Sequence, residues 1–92
     1  MSSKINLKSM KEVYGAEIYE ILLDNIEIVE KNLQYLNELK FDDAIGIFER
    51  CPIIFTYFPQ DFKKKIDDLI ERVGENYVEI IENDVGLIEE LL

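Results

Sequence analysis

The stretch FDDAIGIFERCPIIFTYFPQDFKKKIDDLIERVG, residues 41–74, contains the signals that decide the fold. Aspartates precede the apolar residues of a short helix, which must end before Pro52 because the residue before a proline is driven out of the α region. Pro59 suits the first turn of a longer helix, where its missing N–H costs nothing. Gly74 stands where that helix needs a residue of positive φ to end. The stretch therefore predicts two helices joined by a tight apolar connection, residues 52–58.

Helical periodicity extends upstream of this stretch. Apolar residues recur every three to four positions from Met10 to Leu39. The cap-forming residues Asp24 and Asn25 interrupt this series and favour a break there. We therefore predict a first helix from about Met10 and a second from about Ile26.

The downstream sequence is also helical in pattern. Asn76 begins a further capped helix, which is followed by an acidic amphipathic end. No segment predicts a strand with a partner to pair with. The sequence thus predicts one all-α domain over residues 1–92, a small bundle of five to six short helices, with residues 1–8 flexible.

The sequence carries a possible internal repeat. A shift of about 33 residues superimposes apolar positions, for example Leu33 on Ile66 and Leu36 on Leu69. Such a period is typical of helix-turn-helix units that stack on copies of themselves. Accidental matches between helices of similar length in a bundle are the alternative.

The stretch from Phe41 to Gly74 also resembles a repeat of the mitochondrial transcription termination factor family. In that family a short helix ends in an Arg-x-Pro-like corner, and a longer Lys-rich helix leads to Leu and Gly. The resemblance implies stacked repeats that form a curved superhelix and bind nucleic acid through a basic concave face. Unlike the family, this chain is acidic and has Val85 in place of the last proline. The residues that carry the resemblance are Ile47, Arg50, Pro52, Lys64, Ile66, Leu69 and Gly74.

Charge narrows the classes of partner. Twenty acidic and ten basic residues give a net charge of −10, and no basic residue follows Arg72. Such a field repels phosphate backbones and anionic membranes and attracts cationic proteins. We therefore expect another protein as partner, with a cationic one favoured, and neither nucleic acid nor membrane. With no apolar run of the ~20 residues that span a bilayer, and no signal peptide, a cytoplasmic location is expected.

Residues for catalysis or metal binding are scarce. The chain has one cysteine, Cys51, and no histidine, so a thiol would have no imidazole base and a structural zinc site cannot form. The adjacent carboxylate pairs, such as Asp67 and Asp68, point about 100° apart on a helix and do not converge. We expect neither enzymatic activity nor a cofactor.

Three sets of residues are candidate contacts. Aromatic residues concentrate between Phe48 and Phe62, and aromatics are favoured at interfaces, although a core role is the alternative. We expect Tyr57 and Phe58 to be partly exposed because they lie off the periodic stripe. The candidate protein contacts are Phe55, Tyr57, Phe58, Leu91 and Leu92, the last two belonging to an apolar C-terminal stripe that could form a homodimer.

The only basic cluster, Lys63, Lys64 and Lys65, is the third set. It could contact a phosphate or an acidic partner, but three adjacent lysines spread around a helix, and a solvated face is the alternative. Taken together, these patterns predict a non-catalytic protein-interaction module with an acidic surface and an aromatic contact patch. The alternatives are a nucleic-acid-associated helical repeat protein and an acidic nucleic-acid mimic that blocks a DNA-binding partner.

Overall fold

A computed structural model describes residues 7–91, and all its regular elements are helical, as predicted. No helix in this range is both long and apolar enough to cross a bilayer. Residues 7–91 form seven α-helices, where five to six were predicted. Their bounds are α1 Leu7–Tyr14, α2 Ala16–Asp24, α3 Ile26–Glu38, α4 Ala44–Arg50, α5 Pro59–Val73, α6 Tyr77–Asn83 and α7 Gly86–Glu89, with a 3₁₀ helix at Ile53–Thr56 between α4 and α5.

The extra helix arises at Gly15, where one continuous first helix was predicted. Gly15 has φ 93° and ψ 172°, a conformation essentially restricted to glycine. The apolar periodicity runs through this position and so concealed the break. Helix α1 also begins by Leu7, not near Met10. Residues 1–6 lie outside the described residues.

The other predicted boundaries are found. Local hydrogen bonds accompany two of them, and a proline and a glycine mark two more. Asn25 separates α2 from α3, and its side-chain amide donates to the carbonyl of Ile21 at 2.8 Å. The Asp43 carboxylate caps α4 by accepting from the Gly46 amide at 2.9 Å. Pro59 opens α5, and Gly74 ends it with φ 99°.

Helix α3 ends in an unexpected way. Lys40, the second residue after the helix, has φ 72°. Its amide donates to the carbonyl of Asn37 at 3.1 Å, while the Phe41 amide donates to Leu36 at 3.3 Å. This pair of bonds is a Schellman motif, in which glycine usually takes the position of Lys40.

Three phenylalanines form the centre of the core. The rings of Phe48 and Phe55 meet edge to face with centroids 5.3 Å apart, and Phe55 and Phe62 lie 5.1 Å apart. They join α4, the 3₁₀ helix and α5, against which α3 packs its buried face. The α3 and α5 residues of this core are Val29, Leu33, Leu36, Phe62, Ile66 and Leu69.

Elements recur along the chain with one spacing. Helices α3 and α5 begin at residues 26 and 59, α4 and α6 at 44 and 77, and the 3₁₀ helix and α7 at 53 and 86, an offset of 33 each time. Phe48 and Ile81, which the offset pairs, are both buried, whereas buried Ile47 pairs with Ile80, which is 40% exposed. The offset equals the period noted in the sequence.

Candidate contact surfaces

The predicted aromatic patch divides into a core residue and two surface residues. Phe55 is 0% exposed, so its assignment as a partner contact is wrong: the 3₁₀ helix turns it inward between Phe48 and Phe62. Phe58 is 67% exposed and Tyr57 is half-buried, as expected for both. We call Tyr57 and Phe58 the aromatic surface.

A buried amide fixes the backbone beneath the aromatic surface. Asn32, on α3, is 1% exposed and is the only buried polar residue within residues 7–91. Its Nδ2 donates to the carbonyl oxygens of Phe55 and Tyr57, both at 2.9 Å. Because Pro59 has a fixed φ and restricts the residue before it, Phe58 lies between two fixed points.

The three lysines of the basic cluster have different neighbours. The Lys63 ammonium lies 5.3 Å from the centre of the Tyr35 ring, and that of Lys65 lies 5.8 Å from the centre of the Tyr57 ring. Lys64 forms an exposed ion pair with Asp68 at 4.0 Å. The lysines therefore do not converge on one phosphate-sized point, although Lys63 lines a groove.

That groove lies between α3 and the first turns of α5. It has a volume of about 250 Å³ and borders the aromatic surface at Pro59, the residue after Phe58. We call it the α3–α5 groove. Its lining residues are Lys31, Asn32, Gln34, Tyr35, Glu38, Pro59 and Lys63.

A second groove, of about 420 Å³, lies beside α6 and is acidic. One of its carboxylates, Glu82, is engaged: it accepts from the backbone amides of Asp42 and Asp43 at 2.8 and 2.9 Å and so holds the start of α4. Its lining residues are Asp42, Glu75, Asn76, Val78, Glu79, Glu82 and Asn83, a set without a basic side chain.

The C-terminal apolar stripe is mostly part of the core. Ile81 and Ile88 are buried, and Leu91 packs against the core with partial exposure. Leu92, the other predicted contact, lies outside the described residues. Only Ile80, at 40% exposure, gives the described part of the stripe a large exposed apolar side chain.

Cys51 has the surroundings of an inert thiol. It is 4% exposed, and burial, with a smaller effect from Glu89, raises the pKa of its thiol. Partial burial, followed by Cys51, Glu89 and Glu49, raises the pKa of Tyr14, whose hydroxyl donates to the Glu49 carbonyl at 2.6 Å. Within the described range no three Cys, Asp or Glu side chains are grouped to hold a metal ion.

Comparison with known proteins gives no assignment. No family model, curated protein or solved structure matches the chain. The similarity of residues 41–74 to a transcription termination factor repeat therefore stays a prediction from those residues. The function is therefore inferred from the surfaces described above.

Several residues of these surfaces were not predicted from the sequence. Asn32 and Tyr35 lie on α3, and their partners are on the 3₁₀ helix and α5. Val13, at 70% the most exposed large apolar residue described, lies at the end of α1 next to the undetected break. Of these features, only the break at Gly15 was marked in the sequence, by a glycine within a helical pattern.

Proposed function

We propose that the chain is a cytoplasmic, non-catalytic protein-interaction module that binds its partner through the aromatic surface. One observation carries the proposal: Phe58 is 67% exposed at a position whose backbone the fold holds in place. A solvent-exposed phenylalanine gains free energy when a partner buries it, and aromatic residues dominate binding at many interfaces.

The fixed backbone on either side of Phe58 favours binding as well. Association is weakened by the entropy lost when flexible groups become ordered. Asn32 holds the carbonyl before Phe58, and Pro59 follows it. A partner therefore meets a side chain whose backbone needs little further ordering.

The surroundings of Cys51 support the non-catalytic part of the proposal. A nucleophilic cysteine needs a lowered pKa and access to substrate, whereas Cys51 is buried and burial raises its pKa. The chain contains no histidine to act as a base. These observations support a binding role over an enzymatic one.

The acidic groove supports a second candidate, a nucleic-acid mimic. Asp42, Glu75 and Glu79 line it and no basic side chain does, and the net charge of −10 adds long-range attraction for cationic proteins. A mimic should compete with duplex DNA for a purified basic DNA-binding protein. Charge reversal by Glu79→Lys should weaken that competition, and an unchanged competition curve would remove this candidate.

The repeat hypothesis concerns the same surfaces. The 33-residue offset supports two stacked units, residues 26–56 and 59–89, of which α3 and α5 are equivalent helices. Stacked repeats use the surface formed by equivalent helices for binding. The net charge argues against the nucleic-acid binding that the family resemblance implies, since phosphate binding depends on many cationic contacts.

The test of the aromatic surface is partner capture with matched variants. Wild-type protein and the Phe58→Ala and Val13→Ala variants are used as baits in host extract, and captured proteins are then purified and tested for direct binding. Val13 is the control because it is 70% exposed and lies on α1. We expect a partner that Phe58→Ala loses and Val13→Ala retains. A partner retained equally by both variants, or no direct partner, would contradict the proposal.

A further inference from the structure

We infer that the α3–α5 groove receives a carboxylate-bearing segment of a partner protein, with Lys31 and Lys63 as the charged contacts and Phe58 as the adjacent apolar contact. The inference rests on the proposed function and names the chemistry of the partner at the aromatic surface. It does not involve the acidic groove on α6.

The α3–α5 groove has a local excess of positive charge. Two lysines and one glutamate line the α3–α5 groove, although the chain as a whole has twice as many acidic as basic residues. Among the described residues the only ion pair within 4.0 Å joins Lys64 to Asp68. Lys31 and Lys63 therefore have no carboxylate partner of their own.

Lys63 forms no ion pair within 4.0 Å with the carboxylate expected to pair with it on α5. Asp67, four residues further along α5, is the ordinary helical partner for Lys63. The Tyr35 hydroxyl from α3 instead donates to the Asp67 carboxylate. The face of the same tyrosine ring lies 5.3 Å from the Lys63 ammonium. Tyr35 thus binds one oxygen of the local carboxylate, and its ring holds the lysine at the groove.

The size of the groove also favours a protein segment. Its volume of about 250 Å³ is below the ~300–1,000 Å³ of typical small-molecule sites, which suits a few side chains of a protein segment. Phe58 next to Pro59 offers apolar area at one end. The first turn of α5 adds the positive end of a helix dipole there, which also favours a carboxylate.

A nucleic acid fits this region less well than an acidic protein segment. Binding to phosphate backbones requires several lysines or arginines, because affinity comes largely from counterion release. Only two lysines line the groove, and α5 also carries the aspartates Asp61, Asp67 and Asp68. One or two carboxylates can use such a site, whereas a run of phosphates would meet these aspartates.

The inference can be tested without knowing the partner. A phage-displayed library of random dodecapeptides is selected on the wild-type protein, and the enriched peptides are synthesised for fluorescence-polarisation titration. We expect Asp or Glu beside an aromatic or aliphatic residue. Lys31→Glu, Lys63→Glu and Phe58→Ala should each weaken binding by about tenfold, the effect of losing a contact worth ~1.4 kcal/mol.

Lys64→Glu is the matched control. It makes the same change of charge on the same helix, but Lys64 is already paired with Asp68, so its effect should stay within about twofold. Lys63→Gln removes the charge without adding a carboxylate and should also weaken binding. Circular dichroism and thermal unfolding establish that each variant is folded.

Several outcomes would overturn the inference. They are enriched peptides that lack acidic residues, equal losses with Lys64→Glu and Lys63→Glu, and preferential binding of a single-stranded oligonucleotide that depends on Lys63. If a natural partner still depends on Phe58 in the capture experiment, the proposed function survives and only the acidic specificity fails. Acidic peptides that bind without dependence on Phe58 would instead contradict the role of the aromatic surface.

Discussion

The side-chain amide of Asn32 lies 2.9 Å from the carbonyl oxygen of Tyr57, twenty-five residues further along the chain. The same nitrogen donates to the Phe55 carbonyl. Two carbonyls that the turn leaves without helical partners are thereby satisfied from α3. The position of Phe58 at the surface consequently depends on a polar contact inside the core.

Replacing this amide should destabilise the fold strongly. Asn32→Asp places a carboxylate against two carbonyl oxygens in a buried position, and we expect a loss of at least ~3 kcal/mol in the free energy of unfolding at neutral pH. Asn37→Asp introduces the same charge at an exposed position of α3 and should cost less than ~0.5 kcal/mol. Urea unfolding followed by circular dichroism measures both. Equal losses would contradict the role of Asn32.

Truncation should destabilise the fold strongly at Phe55 and hardly at all at Phe58. Phe55→Ala empties the centre of the core and should lower the free energy of unfolding by about 3–5 kcal/mol. Phe58→Ala removes a side chain that is 67% exposed and should change it by less than ~0.5 kcal/mol. Chemical denaturation of the two variants checks this. A large loss of stability for Phe58→Ala would show that the residue is structural.

Lys40→Gly should stabilise the protein. A side chain at φ 72° is strained by ~1–2 kcal/mol, which glycine avoids, while the greater freedom of glycine in the unfolded chain offsets part of this gain. We expect a net increase of about 0.5–1 kcal/mol in the free energy of unfolding. Lys40→Ala, which keeps the strain, is the control, and it should not produce this increase.

Alkaline pH should weaken the fold through Tyr35. Burial, the hydrogen bond to Asp67 and nearby acidic charge raise the pKa of its hydroxyl above the usual 10.0. Because the folded-state pKa is the higher one, the contribution to stability is complete below pH 10 and is lost as the pH rises through the folded value.

Tyr35→Phe should therefore show a smaller fall of the urea midpoint above pH 10, the usual tyrosine pKa. Asp67→Ala should bring the Tyr35 pKa back toward its usual value, as measured by tyrosinate absorbance. Identical alkaline slopes for wild type and Tyr35→Phe would argue against the contact between α3 and α5.

Much of the fold was predictable because its signals are local. Pro59 and Gly74 mark the ends of α5, and Asp43 caps α4, as their residue types indicate. Gly15 was missed because apolar spacing alone does not distinguish one amphipathic helix from two whose buried faces lie in phase.

The candidate surfaces were less predictable because they depend on distant contacts. Phe55 and Phe58 are both aromatic residues in one short connection, and only the turn of the 3₁₀ helix decides which one points inward. The Lys63 ammonium lies beside the ring of Tyr35, and the Tyr35 hydroxyl binds Asp67 from another helix. Residue spacing within α5 carries no trace of these contacts.

The contact of Glu82 with the amides of Asp42 and Asp43 has a kinetic consequence. These groups are separated by 40 and 39 residues, so closing that loop must precede the bonds, and we expect them to form after the rate-limiting barrier. Weakening them by Glu82→Ala would then appear mainly as faster unfolding, with the refolding rate nearly unchanged. We therefore expect this carboxylate to affect the lifetime of the native state more than the speed of reaching it.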